Sequence, residues 1–180
     1  MATSLGMSPQ SGVLHNNRVG DFDPFCLPMI MQAEGKSLQQ VLDTLAEKSG
    51  LLGLSGISGD VRDLEEAAAA GNGRARLALD VFVAEIRRHL GGMLIELGGV
   101  DAIVFTGGIG ENSANMRHAV LRDLRWFGIA LDEAKNKTAK GEMRIDAPGS
   151  RVQVWIMPTN EELIVARQAR DLLQNTQAPG

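Results

Sequence analysis

"DAIVFTGGIGENS", residues 101–113, is the stretch on which the reading of this chain turns. Val100 to Thr106 is short and apolar on both faces, which predicts a strand in the middle of a sheet. The strand stops in Gly107, Gly108 and Gly110, and a helix over about 113–126 is expected to follow, closed by Gly128. Such a junction leaves backbone N–H groups without helical partners beside a partial positive charge, which suits an anion. A tight strand-to-helix turn with no ligand has the same pattern, and the pattern leaves both open.

Downstream, "RVQVWIMP" at 151–158 reads as a second strand running into "TNEELIVARQARDLL", where Thr159 and Glu162 have capping-box spacing. Strand, helix, strand, helix in this order implies two parallel strands with right-handed crossovers. Upstream, a helix is expected over 37–49, capped by Ser37, with Leu38, Val41, Leu42 and Leu45 on one face. "LLGLSGISGD" reads as a glycine-rich loop whose Asp60 opens the helical "VRDLEEAAAA". A long helix follows over about 74–97, and its Gly91–Gly92 pair implies close packing against another backbone, or a bend. Residues 1–30 hold Gly6, Pro9, Gly12, Gly20, Pro24 and Pro28, so little regular structure is expected there. Two strands are too few for a sheet serving five helices, so the sequence is expected to be the back half of a larger fold.

The composition excludes several classes. At 180 residues and 44% apolar content the chain can bury a core, and a net charge of −4 with scattered basic residues offers no nucleic-acid surface. No apolar run reaches membrane-spanning length, and the first residues lack the charged-then-apolar order of a signal peptide. A single cysteine, Cys26, forms no internal disulfide, and the expectation is a cytoplasmic protein.

Two known glycine motifs fail on spacing. A dinucleotide fingerprint beginning at Gly108 and Gly110 needs a third small residue where Ser113 stands, and no Gly-Lys-Ser/Thr is present for a P-loop. Arg18, in the polar loop "HNNRVGDFDP", is either a solvated charge or a planar fork for phosphate. Glu161 stands in the first turn of the last helix, just beyond a strand. It either favours the helix dipole or is a ligand for a hard cation such as Mg²⁺, which takes one or two carboxylates and leaves its other positions to water and phosphate. Asp60 and Arg62 can simply begin a helix. His15, His89 and His118 show no metal-ligand spacing. The candidate groups fall in loops or at the C-terminal ends of strands, where open α/β sheets bind ligands.

In order along the chain, "TSLGMSPQSG", "NNRVGDFDP", "SGLLGLSGISGDVRDLE", "VFTGGIGENS", "WFGIALD" and "MPTNEELIVARQ" together resemble the C-terminal portion of the acetokinase family, within the actin-like ATPase and sugar kinase superfamily. The resemblance runs to about Arg167. It implies an α/β fold: the C-terminal part of a ribonuclease H-like domain, with an incomplete central sheet and several packed helices. Residues 1–180 are then the nucleotide-binding portion, without the N-terminal domain and the "H-L-G-x-G" phosphate loop that the family carries ahead of this segment.

The implied activity is Mg²⁺-dependent phosphoryl transfer (Mn²⁺ being an alternative cation) between ATP and a short-chain carboxylate, acetate foremost, giving acyl phosphate and ADP, in a homodimer. By position, Arg18 matches the arginine that stabilises the transition state. Asp60, Val61 and Arg62 match one nucleotide-contacting loop, and Gly108, Ile109, Gly110, Glu111 and Asn112 match the other. Glu161 matches the magnesium ligand, and Pro9 falls where the family shapes its acyl pocket. The family often has an aromatic residue where this chain has Val61. The alternative from a different class is a non-catalytic remnant that keeps dimerisation or weak nucleotide binding.

Overall fold

The computed structural model describes residues 3–176. They form two compact units that meet in sequence between Val100 and Asp101.

In the first unit the glycine- and proline-rich start is irregular, as expected, up to Asp23, whose carboxylate accepts from Phe25 N and caps a short 3-10 turn. Helix α1 (Leu27–Glu34) follows directly, so the expectation of little regular structure before residue 30 fails at its end. Pro28 lies in the first turn, where its missing N–H costs no hydrogen bond. Helix α2 (Leu38–Glu47) opens with a full capping box, Ser37 with Gln40, and buries Val41.

The segment expected to be wholly loop instead contains a helix, α3 (Gly50–Ser55). The reason is tertiary. The N–H groups of Ser49, Leu51 and Leu52 donate to the carbonyls of Asn17, His15 and Asn16 at 2.9, 3.0 and 2.8 Å, so a distant loop supplies partners for the unpaired donors of a helix start. Gly50 is required there: it adopts φ +59°, and a side chain would collide with the backbone of His15 and Arg18.

Helices α4 (Val61–Ala69) and α5 (Gly73–Glu96) complete the unit. α5 packs against α3 and α4, and Leu51, Leu64, Ala75, Ala78, Leu79, Phe82 and Val83 form the core. Gly91 and Gly92 do not meet another backbone: a Cβ at either would find open space among the described residues.

In the second unit, strands β1 (Ala102–Phe105) and β3 (Gln153–Ile156) pair in parallel, with Phe105 opposite Ile156. A two-residue strand, β2 (Met143–Arg144), pairs antiparallel to β3. The sheet order is therefore β1-β3-β2. Within the described residues β1 is an edge strand, not the central one its two apolar faces suggested, and Val104 is left 45% exposed.

Between β1 and β3 lie α6 (Gly107–Asn112), α7 (Ala114–Leu121) and α8 (Glu133–Thr138), and α9 (Glu161–Thr176) follows β3. α7 stops before the expected end near residue 126, because Asp123 takes the left-handed conformation at φ 64° and a separate 3-10 turn runs to Gly128. Aspartate is among the few residues that accept this conformation. Met116, Val120, Leu121, Ile129, Ile145, Val152, Val154 and Ile156 are buried as the core.

Asp146 holds the β2–β3 edge together. Its carboxylate accepts from Arg144 Nε and Nη2 at 2.7 and 2.9 Å and from Val154 N at 3.0 Å. The Arg144 guanidinium, aided by the Val154 N–H, holds its pKa below the usual 3.8. A depressed carboxylate pKa stabilises the fold above the unfolded value, and that stabilisation disappears as pH falls through the folded value. Asp146→Asn should therefore cost about 1–3 kcal/mol at pH 7, with a gap to the parent that closes below about pH 4. Melting curves across pH 2–7 measure this.

Candidate functional site

The glycine junction is tighter than the sequence suggests. The helix begins on Gly107 itself, so Gly107, Gly108 and Gly110 are helical and Ser113 links two helices, as C-cap of α6 and N-cap of α7. Each glycine has its own reason for being there. Gly107 adopts φ +71°, which a side chain resists. Gly110 lies against the strand, since a Cβ there would be 3.3 Å from the Phe105 carbonyl carbon. Gly108 has a helical backbone with no positive φ and open space where a Cβ would be. Nothing among the described residues requires glycine at 108.

The junction's N–H groups do not all point into empty space either. Gly107 N donates to Glu111 Oε1 at 2.9 Å, so a carboxylate from within α6 satisfies its leading donor. The same oxygen accepts from Thr159 N at 3.1 Å and from Thr159 Oγ1 at 3.4 Å. Thr159 is therefore not the cap of α9; Asn160 is, accepting from Leu163 N at 3.0 Å. Asn112 Nδ2 turns back to the Gly108 carbonyl at 2.8 Å. Glu161 begins α9, and its side chain lies outside the described residues.

Beneath the junction is a residue the sequence gave no reason to select. Arg117 is 2% exposed and donates to the carbonyls of Gly110, Glu111 and Asn136 at 2.8–2.9 Å, and to Asn136 Oδ1 at 2.7 Å. Asn136 Nδ2 in turn donates to the Ala114 carbonyl at 2.9 Å. Burial pulls the Arg117 pKa below the usual guanidinium value. In "ANMRHAVL" it reads as an ordinary helix-surface arginine, because its acceptors are carbonyls and a side chain from another helix.

In the first unit, Arg18 sits half-buried in the loop whose carbonyls start α3, and its guanidinium has no hydrogen-bond partner among the described residues. The Asp60 loop leans on the same loop: a Cβ on Gly59 would be 2.5 Å from the Asn16 carbonyl oxygen. Asp60 caps α4 through Arg62 N and binds the Arg62 side chain at 2.6 Å. That pairing lowers the Asp60 pKa to about 2. Val61 is 4% exposed, so its side chain belongs to the core and offers no stacking surface. Pro9 is exposed.

An open cleft of about 790 Å³ runs beside Val19, Asp21, Ser49, Gly50, Glu85 and Arg88, and none of the candidate residues lines it. Close by, Asp21, Glu85 and His89 come together as three ligand-type groups that sequence spacing did not show. Arg88 Nη2 already binds both carboxylates, at 2.6 and 2.7 Å, so the cluster is an ion-pair network.

A family model described as the acetokinase family matches residues 1–167. Acetate kinase 1 of Listeria innocua is 49% identical over 175 residues, which is 97% of this chain and 44% of that protein. A propionate kinase of Citrobacter rodentium is 50% identical over 165 residues, covering 92% of this chain and 40% of its own length. The crystal structure of Porphyromonas gingivalis acetate kinase superposes with a TM-score of 0.87 at 40% identity, over 94% of this chain and 43% of that one. The chain thus spans less than half the length of the curated relatives it matches. With a match of this extent in sequence and this closeness in fold, the chain belongs to the acetokinase family.

Proposed function

We propose that this chain provides the nucleotide-side part of an ATP-dependent carboxylate kinase that makes an acyl phosphate from a short-chain carboxylate, acetate foremost. The observation that carries the reading is Gly108, a glycine just beyond the C-terminal end of a parallel strand that nothing among the described residues requires. An absent side chain there leaves room for a ligand to approach the backbone. A carboxylate oxygen attacks the γ-phosphorus, the bond to the β–γ bridging oxygen breaks, and ADP leaves with that electron pair. Protein residues contribute mainly position and charge in such a reaction.

Arg18, with a guanidinium that has no other partner among the described residues, donates to the equatorial oxygens of the transferring group. In the first unit residues 60–62, and in the second unit the backbone of 108–112, are the segments that contact the nucleotide. Glu161, the carboxylate that opens α9, suits Mg²⁺ or Mn²⁺, which takes one or two carboxylates and keeps its remaining positions for phosphate and water. That ion neutralises charge on the phosphates when bound. A homodimer in the cytoplasm is the expected setting. Among the described residues no helix is long and apolar enough to cross a membrane.

Gly108→Val tests the nucleotide assignment. The open space at this position predicts that the variant folds and melts like the parent, while its ADP Kd rises roughly tenfold or more, a loss of about 1.4 kcal/mol or more. Calorimetric titration beside a melting curve measures both quantities. Unchanged affinity in a variant that melts several degrees lower would assign the glycine to the turn alone.

A second measurement concerns the 180-residue polypeptide by itself. With acetate, ATP and Mg²⁺, and acyl phosphate trapped as hydroxamate, it should turn over well below roughly 1 s⁻¹. In-line transfer needs substrate-side groups that the family carries elsewhere. Turnover at an ordinary enzymatic rate would require a different assignment of the catalytic groups.

A further inference from the structure

Glu111 lies inside the segment assigned to the nucleotide, yet its carboxylate is turned to the protein. One oxygen, Oε1, collects Gly107 N, Thr159 N and Thr159 Oγ1. Thr159 lies 48 positions from Glu111 in sequence. They meet because β1 and β3 are parallel and in register, with Phe105 opposite Ile156, so the glycine segment and the 157–160 segment leave the same end of the sheet. Met157 N donates to the Phe105 carbonyl at 2.9 Å as the last rung of that pairing. Beyond that rung, the hydrogen bonds joining the two segments among the described residues all run to Glu111.

We infer that Glu111 is a positioning residue that fixes the nucleotide segment against the segment leading to Glu161, and that it does not itself touch the nucleotide. The inference rests on the proposed nucleotide and cation roles of those segments. A cation shared between the Glu161 carboxylate and the nucleotide phosphates requires the two segments at a set separation. Glu111 sets it with an ionised acceptor, whose hydrogen bonds are stronger than neutral ones. The coupling between cation and nucleotide is therefore the property that depends on it.

The test uses the full 180-residue chain, with ADP titrated by calorimetry in the presence of MgCl2 or of EDTA. The parent should bind ADP at least fivefold more tightly with Mg²⁺. In Glu111→Ala that enhancement should fall below twofold while metal-free affinity changes less than twofold. Glu111→Gln keeps an acceptor oxygen at the same reach and should retain most of the enhancement. Amide hydrogen exchange at Gly107 and Thr159, free of any ligand, should accelerate together in the alanine variant and much less in the glutamine one.

A parent that does not bind ADP, or gains nothing from Mg²⁺, overturns the nucleotide and cation reading and this inference with it. A parent with the enhancement and an alanine variant that keeps it in full overturns the inference alone. Equal losses with and without Mg²⁺ would make Glu111 a direct nucleotide contact. Unchanged exchange at both amides would show that the clasp does not hold the segments.

Discussion

In an active enzyme that carries this segment, Arg18→Ala should lower kcat by on the order of 10²–10³ and change the KM for ATP far less. The charge that the guanidinium meets develops on the transferring phosphoryl group, so its donors act more strongly in the transition state than on bound ATP. Its loop supports that role mechanically. The carbonyls of His15, Asn16 and Asn17 are committed to the start of α3, and Val19 N donates to the Leu45 carbonyl at 3.0 Å, which together pin the backbone on either side of a guanidinium with no hydrogen-bond partner among the described residues. Arg18→Lys should recover only part of the loss, because an ammonium cannot present two parallel donors to one phosphoryl face. Steady-state kinetics of the three proteins decide the matter. A change confined to KM would make Arg18 a ground-state binding residue.

The second large effect is structural. Arg117→Ala should destabilise the fold by about 3–5 kcal/mol, since it removes a buried side chain and takes the donor from the buried Asn136 carbonyl and from the part-buried carbonyls of Gly110 and Glu111 at once. In a domain of this size that corresponds to a fall in Tm of roughly 10 °C or more. Arg117→Lys should not restore it. A single ammonium does not span the carbonyls of Gly110 and Glu111 on one side and Asn136 on the other, which the guanidinium holds together. Asn136→Ala should cost less, because Arg117 then keeps its bonds to the Gly110 and Glu111 carbonyls. Thermal and denaturant unfolding measure each variant. An Arg117→Ala protein that melts like the parent would mean that water replaces the guanidinium without cost.

How the candidate site divides between sequence and structure can be followed residue by residue. Ser37 announced the start of α2, the "AIVF" run and "QVWI" announced parallel strands, and the glycines placed a junction after β1. All of these are local. Capping, period and turn chemistry depend on neighbours within about one turn of chain, so a linear reading reaches them.

Long-range partners decided the rest. α3 is a helix inside a glycine-rich stretch because the carbonyls of residues 15–17 complete its first turn. β1 lies at an edge because the strand beside it is β3 and no other described strand joins it. The three glycines of the junction look alike in sequence, and only the structure separates the one that needs a left-handed φ, the one pressed on Phe105 and the one facing open space. Arg117 gave no signal in the sequence, and Thr159 read as a helix cap, because their partners are carbonyls and a carboxylate brought close by the crossover between β1 and β3. The sequence by itself determined α2, the two parallel strands and the family they belong to, since capping, period and motif residues are properties of short segments. The tertiary structure decided what each polar group satisfies, because a hydrogen bond needs its acceptor within about 3 Å in space, whatever the separation along the chain.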